Sequence, residues 1–182
     1  MEPDEVVFEL GAGIGFVSTM AYRTGHTRRI VVVEADPRLI PLIRETHLIN
    51  GVDTATIYHG MAMPHPGWRT TETFYVRENF WGSSASADAG MPVTEEHQIP
   101  VYDLQALLDE HRPTLLICDI EGGEAGLYRG ITLPTVRRIL MEVHQAVIGG
   151  EAMRQLFLDI GHLGFHYDQR FSQGSVVVFT RA

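Results

Sequence analysis

Acidic side chains and a histidine follow two apolar runs in the second half of the chain. Asp119 and Glu121 come directly after the run L-L-I-C, and Glu142 and His144 follow the run I-L-M. Side chains two positions apart on a strand lie on the same face of the sheet. Because buried charges are costly, such residues belong at the open end of a strand. We therefore expect the two pairs to converge at one edge of a sheet, with Glu124 beside them.

This group of residues suits the removal of a proton from a hydroxyl group during a transfer reaction. His144 is the natural general base, because its ordinary pKa of about 6.5 leaves the imidazole mostly neutral at pH 7. A positioned base contributes roughly 10²–10⁴ in rate. An alternative is that both pairs bind a divalent metal such as Mg²⁺ against an acceptor oxygen. In a purely structural interpretation, Asp119 only contacts a cofactor and Glu121 caps the next helix.

A glycine-rich turn near the N-terminus is typical of a cofactor site. Residues 6–15 read V-V-F-E-L-G-A-G-I-G, an apolar strand that runs into alternating glycines before a helix-compatible segment. Glycine permits a positive φ and lets a ligand touch the backbone, and the helix N-terminus then faces that ligand. Glu34 ends a second apolar run, about twenty residues further on, where a carboxylate accepts hydrogen bonds from ribose hydroxyls.

The pattern favours S-adenosylmethionine (SAM) over a dinucleotide. A dinucleotide loop needs glycine at position 16, and Phe16 stands there. SAM has no pyrophosphate, and its methionine end carries an ammonium group that Glu9 can approach and a carboxylate that can face the helix. The end of the third strand is expected to flank the adenine. The predicted cofactor-binding residues are Glu9, Gly11, Ala12, Gly13, Gly15, Glu34, Ala35, Gly60, Met61 and Asp119.

Apolar runs that alternate with helical stripes predict one α/β domain over residues 1–182, with seven mostly parallel strands and a Rossmann-like class I methyltransferase fold. We expect strands at 6–10, 30–33, 55–59, 115–118 and 139–143, helices at 14–23, 37–50, 103–110, 124–129 and 151–163, and a closing antiparallel hairpin from 165–171 and 176–180. Residues 63–96 are expected to be an irregular insertion with a short strand at 74–77. This insertion is either a lid with Trp81, Ser83 and Ser84 near the ligand, or a surface excursion without a role.

Composition excludes several other classes of protein. The net charge of −9 argues against non-specific nucleic-acid binding. The chain contains no lysine, which excludes Schiff-base chemistry and the phosphate-loop lysine. The single cysteine, Cys118, excludes a disulfide framework and is expected to be a buried core thiol. Without a basic leader or an apolar run of membrane-spanning length, we expect a cytoplasmic protein with no membrane partner.

Five motifs together resemble the FkbM family of SAM-dependent methyltransferases. They are E-L-G-A-G-I-G-F-V-S, V-V-E-A-D-P, H-L-I-N-G, D-I-E-G-G-E and L-M-E-V-H, and D-x-E-G-x-E is the most specific of them. The resemblance covers most of the chain, from residue 6 to about residue 144. It implies O-methylation of a hydroxyl on a small metabolite such as a sugar or a polyketide. It also implies that Asp119, Glu121 and Glu124 lie at the active face.

Strand one begins close to Met1, whereas enzymes of this family usually carry a segment ahead of it that covers the cofactor. Three explanations are open. The insertion at 63–96 closes the site alone, a second subunit of a homodimer helps to close it, or the chain is a shortened form. Two other functions stay open at this point. One is a non-catalytic SAM- or nucleotide-binding module, and the other is an NAD-dependent oxidoreductase, against which Phe16 speaks.

Overall fold

A computed structural model describes residues 1–78, 83–85 and 92–181 of the chain. In this part of the chain the elements follow one another as β1 (Glu5–Leu10), α1 (Phe16–Arg23), β2 (Thr27–Glu34), α2 (Leu39–Ile49), β3 (Ala55–His59), β4 (Met61–Met63), β5 (Thr71–Arg77), β6 (Val93–Asp103), α3 (Leu104–His111), β7 (Leu115–Cys118), β8 (Arg138–Glu142), α4 (Gln145–His162), β9 (Phe165–Tyr167), a 3-10 turn (Gln169–Phe171) and β10 (Val176–Arg181).

The main sheet has seven strands in the order β3-β2-β1-β7-β8-β10-β9. The first five of these pair in parallel, whereas β10 runs antiparallel to both β8 and β9. The predicted α/β fold with a C-terminal antiparallel hairpin is therefore confirmed. The chain order reverses between β1 and β7, and ligands in open α/β sheets bind at such a point, outside the carboxyl ends of the strands.

Helices cover both faces of this sheet, which explains why its central strands are continuous apolar runs. Phe8, Leu116 and Ile139 belong to a core that includes buried residues of α3 and α4. Val7 and Ile117 point to the opposite face, in a second core with Ile43 of α2. Cys118 is fully buried at the end of β7, as predicted.

Two predicted helices differ from the observed structure. Residues 121–130 form a series of turns, so the helix predicted at 124–129 is wrong. Gly126 and Gly130 have φ angles of 77° and 72°, which a right-handed helix does not contain. The last helix begins at Gln145 rather than at Glu151, and it is broken at Gly149, whose φ is 80°. The apolar pattern alone does not reveal that residues before this break are helical as well.

The segment expected to be irregular contributes to a second sheet, of three strands in the order β4-β6-β5. Strands β5 and β6 pair antiparallel from Thr71 opposite Pro100 to Arg77 opposite Val93. Phe74 forms part of a small core of this sheet that also contacts Met61. The short strand predicted at 74–77 is confirmed within β5, whereas the irregular structure expected around it is wrong where β5 and β6 extend further. Trp81 lies outside the described residues.

None of the helices in the described part of the chain combines the length and the apolar composition that a bilayer crossing requires.

Candidate functional site

A cavity of about 740 Å³ opens at the carboxyl ends of the central strands. Its volume falls within the range of about 300–1,000 Å³ that is typical of small-molecule and cofactor sites. Four segments provide most of its wall, namely the turn after β1, the end of β2, the β3–β4 connection and the turn after β7. From the predicted cofactor set, the lining residues are Gly11, Gly13, Glu34, Ala35, Gly60, Met61 and Asp119.

The turn after β1 requires its glycines. Gly11, Gly13 and Gly15 have φ angles of 74°, 56° and 78°, a region that residues with a Cβ rarely occupy. Gly11 also packs directly against the chain that leaves β7, because a Cβ placed on it would lie 1.7 Å from the carbonyl oxygen of Asp119. The cofactor turn and the start of the acidic motif therefore touch through their backbones.

Glu34 holds the glycine turn in place from the end of β2. Its Oε2 accepts hydrogen bonds from the backbone N–H groups of Ala12 and Gly13, each at 3.0 Å, and its Oε1 accepts from Asp36 N–H at 2.8 Å. Burial raises the pKa of this carboxyl, and the N–H groups oppose that shift. A carboxylate offers about four acceptor positions, so capacity remains for a ligand hydroxyl on the cavity side.

Glu9 lies beneath the glycine turn rather than on the cavity wall. Its side chain is 1% exposed, and one carboxyl oxygen has no hydrogen-bond partner in the described structure. Burial raises its pKa to about 8, a shift that hydrogen bonding with Ser18 opposes and the charge of Glu34 increases. Glu9 is therefore mostly protonated at neutral pH and supports the turn from behind.

Ser18 and His47 belong to the same buried layer. The Ser18 hydroxyl lies 3.0 Å from His47 Nε2, and both side chains are buried. Burial lowers the pKa of His47, so the imidazole is neutral. The sequence feature that indicates a buried His47 is its spacing of four residues from Ile43, which itself follows Leu39 by four. This spacing places all three on one face of α2.

The acidic pairs converge at the edge of the cavity, as the sequence predicts. Asp119 follows β7, Glu142 ends β8, and β7 and β8 are parallel neighbours. His144, the residue before α4, places its Nε2 3.7 Å from Asp119 Oδ1 and 3.3 Å from Glu121 Oε2. Asp119, Glu142 and His144 each offer a ligand atom, and these three atoms lie within 4.8 Å of one another.

Glu124 is the partner of His144 on the other side of the imidazole. It is fully buried, and its Oε1 forms a hydrogen bond with His144 Nδ1. This hydrogen bond is the main reason that the pKa of His144 is raised to about 9; burial opposes the shift, and the charges of Glu124, Glu121 and Asp119 add to it. The expectation that His144 is mostly neutral at pH 7 is therefore wrong in this environment. Burial raises the pKa values of Asp119 and Glu121.

Glu121 is held in an unusual backbone conformation. Its φ of 49° is left-handed, which costs an L-residue about 1–3 kcal/mol. Gly122 follows with a φ of 96°, and a Cβ on it would lie 2.6 Å from Val147 Cγ1. This tight double turn brings the Glu121 side chain back to the cavity wall. Strain of this kind concentrates at functional sites.

Ser83 and Ser84, which were expected near the ligand, do line the cavity, together with Phe74 of the small sheet. Ser83 also receives a hydrogen bond from the guanidinium of Arg38, at 3.3 Å. Ala12 and Gly15 act through the backbone instead, since Ala12 N–H donates to Glu34 and Gly15 packs against His47.

The sequence profile of the "Methyltransferase FkbM domain" matches residues 9–167 of the chain. Among solved structures, the chain is similar to the methyltransferase FkbM from Methylobacillus flagellatus KT, with a TM-score of 0.58 and 15% identity over 99% of this chain and 44% of that one. No curated protein sequence is similar enough to the chain to be scored as a match.

Two further structures share the fold. One is a precorrin-6y C5,15-methyltransferase from Geobacter metallireducens, with a TM-score of 0.52 and 13% identity over 98% of this chain and 79% of that one. The other is a mutant of MtNAS in complex with S-adenosylmethionine, with a TM-score of 0.52 and 14% identity over 100% of this chain and 56% of that one. The chain thus spans only part of the length of each of these proteins.

The close contact of Gly11 predicts that Gly11→Ala is far more damaging than a matched glycine change. Gly25 has a similar φ of 73°, but a Cβ there meets nothing within 4 Å. Gly25→Ala should lower the free energy of unfolding by about 1–2 kcal/mol, because of the left-handed backbone alone. Gly11→Ala should lower it by about 1–3 kcal/mol more, because the added Cβ meets backbone atoms. Urea unfolding of both variants measures the difference, and equal losses would contradict the observed packing.

The buried carboxyl of Glu9 predicts a specific dependence of stability on pH. Its pKa rises from 4.5 to about 8 on folding, so the folded state keeps a proton that the unfolded chain loses. This contribution is fully present below pH 4.5 and falls by up to about 1.4 kcal/mol per pH unit as the pH rises toward 8. Glu9→Gln should therefore gain stability relative to the wild type as the pH rises from 5 to 8.

Thermal unfolding at several pH values tests this expectation, with the exposed Glu45→Gln as the control. The difference in melting temperature between Glu9→Gln and the wild type should grow with pH, while that for Glu45→Gln stays constant. A constant difference for Glu9→Gln would show that this carboxyl is not held protonated.

Proposed function

The chain belongs to the methyltransferase FkbM domain family, and we propose from this that it transfers the methyl group of SAM to a hydroxyl group of a small metabolite. Membership in this family makes the protein a SAM-dependent methyltransferase. The proposal concerns the chemistry of the acceptor and the residues that act on it. We prefer this function to the two alternatives, a non-catalytic binding module and an NAD-dependent oxidoreductase.

The residues of the cavity fit SAM. Gly11 and Gly13 leave its wall free of side chains, so that a ligand can lie against the backbone. Glu34 keeps acceptor capacity for ribose hydroxyls while it holds the turn. SAM supplies a methyl group on a positively charged sulfur, and the carboxyl-rich end of the cavity is complementary to that charge.

One observation carries the proposal: the glycine turn with Glu34 and the acidic turn with Asp119 and Glu121 line the same cavity. A cofactor held by the first group and an acceptor held by the second share one enclosed space. Holding two reactants in register lowers the barrier of a transfer reaction by about 7–11 kcal/mol. The contact between Gly11 and Asp119 fixes the two groups relative to each other.

We propose that a carboxylate of this cavity acts as the base that removes the proton of the acceptor hydroxyl. Glu121 is the main candidate, because it lines the cavity and its strained backbone aims it there. His144 already carries a proton in this environment, so it forms ion pairs with Glu121 and Asp119, at 3.3 and 3.7 Å, instead of acting as a base. Glu124 positions the imidazole for this role.

The acceptor that suits this site is uncharged or cationic and carries an apolar skeleton. Phosphorylated or carboxylated compounds meet repulsion from Asp119 and Glu121. Apolar side chains such as Ile120, Leu127 and Val147 also line the cavity and can pack on carbon atoms of the acceptor. The net charge of −9 disfavours a nucleic-acid acceptor.

We also propose that the segment around the small sheet closes the site over the acceptor. The contributions of Met63, Phe74 and Ser84 to the cavity wall support this role. Closure by a second subunit of a homodimer stays a prediction.

Glu34→Gln should weaken the binding of SAM at least about tenfold. An amide has one acceptor oxygen, and the backbone N–H groups of the turn occupy it, so the variant loses the carboxylate acceptor for a ribose hydroxyl, a hydrogen bond to a charged group worth about 1.5–3 kcal/mol. Calorimetric titration with SAM measures the change, and Glu45→Gln on the exposed face of α2 is the control. Unchanged affinity in a folded Glu34→Gln sample would remove Glu34 from the cofactor site.

Glu121→Gln should lower kcat at least about 10²-fold with hydroxyl acceptors while the dissociation constant of SAM changes less than about threefold. The assay follows formation of S-adenosylhomocysteine and of the methylated product over a panel of neutral, cationic and anionic small alcohols and amines. Products methylated only on nitrogen would overturn the assignment to hydroxyl groups. SAM binding without turnover on any acceptor would favour the non-catalytic module.

A further inference from the structure

The convergence at the ends of β7 and β8 has the composition of a metal site. Asp119, Glu142 and His144 contribute two carboxylate oxygens and one imidazole nitrogen, all within 4.8 Å of one another. Around an octahedral ion with bonds of about 2.1 Å, adjacent ligand atoms lie roughly 3.0 Å apart and opposite ones roughly 4.2 Å apart. The 3.7 Å between His144 Nε2 and Asp119 Oδ1 lies between these two values, so a small shift of the side chains would bring both atoms onto one ion.

The side chains that would bind the ion are already oriented by neighbours. Glu124 hydrogen-bonds to Nδ1 of His144, which leaves Nε2 as the atom that faces Asp119. Metal-bound histidines in proteins almost always have such a carboxylate or carbonyl on their second nitrogen. Ser175 donates a hydrogen bond to Glu142 Oε1 at 2.9 Å, which orients this carboxylate and leaves its other oxygen for an ion.

The charges of this group are unbalanced. Asp119, Glu121, Glu124 and Glu142 place four carboxyl groups around a single imidazole, and no arginine in the described part of the chain forms an ion pair with any of them. Glu124 is fully buried, and its Oε2 has no hydrogen-bond partner among the described residues. Its Oε1 is paired with His144, so Oε2 is the buried carboxyl oxygen of this group that lacks a partner among the described residues.

We propose that Asp119, Glu142 and His144 bind a hard divalent cation of the Mn²⁺ or Mg²⁺ type at the edge of the cofactor cavity. Two carboxylates favour such an ion, and the imidazole nitrogen favours Mn²⁺ over Mg²⁺. Nε2, the imidazole nitrogen that the hydrogen bond with Glu124 leaves free, would be the ligand atom of His144. Binding of the ion stands on the side chains alone, whereas its role in catalysis rests on the proposed function.

In that role the cation would hold the oxygen of the acceptor hydroxyl and make its proton easier to remove. Glu121 lines the cavity beside Asp119 and can take this proton.

The test uses the full chain, freed of metal with a chelator and titrated with Mn²⁺ while the free ion is followed by electron paramagnetic resonance. We expect one Mn²⁺ per chain and competition by Mg²⁺. Asp119→Asn and Glu142→Gln, which change charge but little volume, should each raise the dissociation constant at least tenfold. Glu124→Gln should raise it by a smaller factor, because it removes the group that positions His144 rather than a ligand.

Glu151→Gln is the matched control, since this exposed glutamate lies on α4 and pairs with Arg154 outside the cluster. Circular dichroism of each variant confirms that it is folded. The proposal is overturned if the wild type binds no Mn²⁺, or if neither Asp119→Asn nor Glu142→Gln weakens binding. Calorimetry with SAM on the same samples distinguishes failure of the metal site from failure of the proposed function. If the chain binds SAM but not Mn²⁺, the metal site is wrong and the proposed methyl transfer still stands.

Discussion

The contact between Gly11 and the carbonyl of Asp119 is the constraint on which the site depends. Adjacent parallel strands normally diverge beyond their last paired residues, yet here the two chains stay in backbone contact after leaving β1 and β7. Backbone hydrogen bonds from Asp119 to Leu10 and from Gly11 to Val33 continue the ladder past the strand ends. The start of the cofactor turn and the start of the acidic turn are thus fixed relative to each other by backbone contacts.

Buried carboxyl groups surround this unit and are stabilised in three different ways. Glu9 is held by protonation, Glu34 by backbone N–H groups, and Glu124 by the imidazole of His144. Each arrangement costs desolvation that a hydrophobic residue would avoid. Their concentration at the carboxyl ends of the strands, rather than in the two apolar cores, indicates that stability is given up where the ligand has to be held.

The sequence predicts the sheet well because its strands are buried on both faces and read as uninterrupted apolar runs. It predicts the meeting of Asp119 and His144 as well, since adjacent parallel strands end at the same edge. It does not predict the hydrogen bond between Glu124 and His144, because that contact depends on turns that positive-φ glycines impose after β7. Of the small sheet it predicts a strand at 74–77 but not β6, because β6 is exposed along much of its length and has no continuous apolar run.

The three-stranded sheet shares no hydrogen-bonded strand with the seven-stranded one among the described residues, and its residues Met61, Met63 and Phe74 line the cavity. The seven-stranded sheet carries the glycine turn and the acidic turn, whereas the three-stranded sheet forms another wall of the same cavity. A substitution such as one at Phe74 can therefore change the shape of the cavity without changing the pairing of the seven strands.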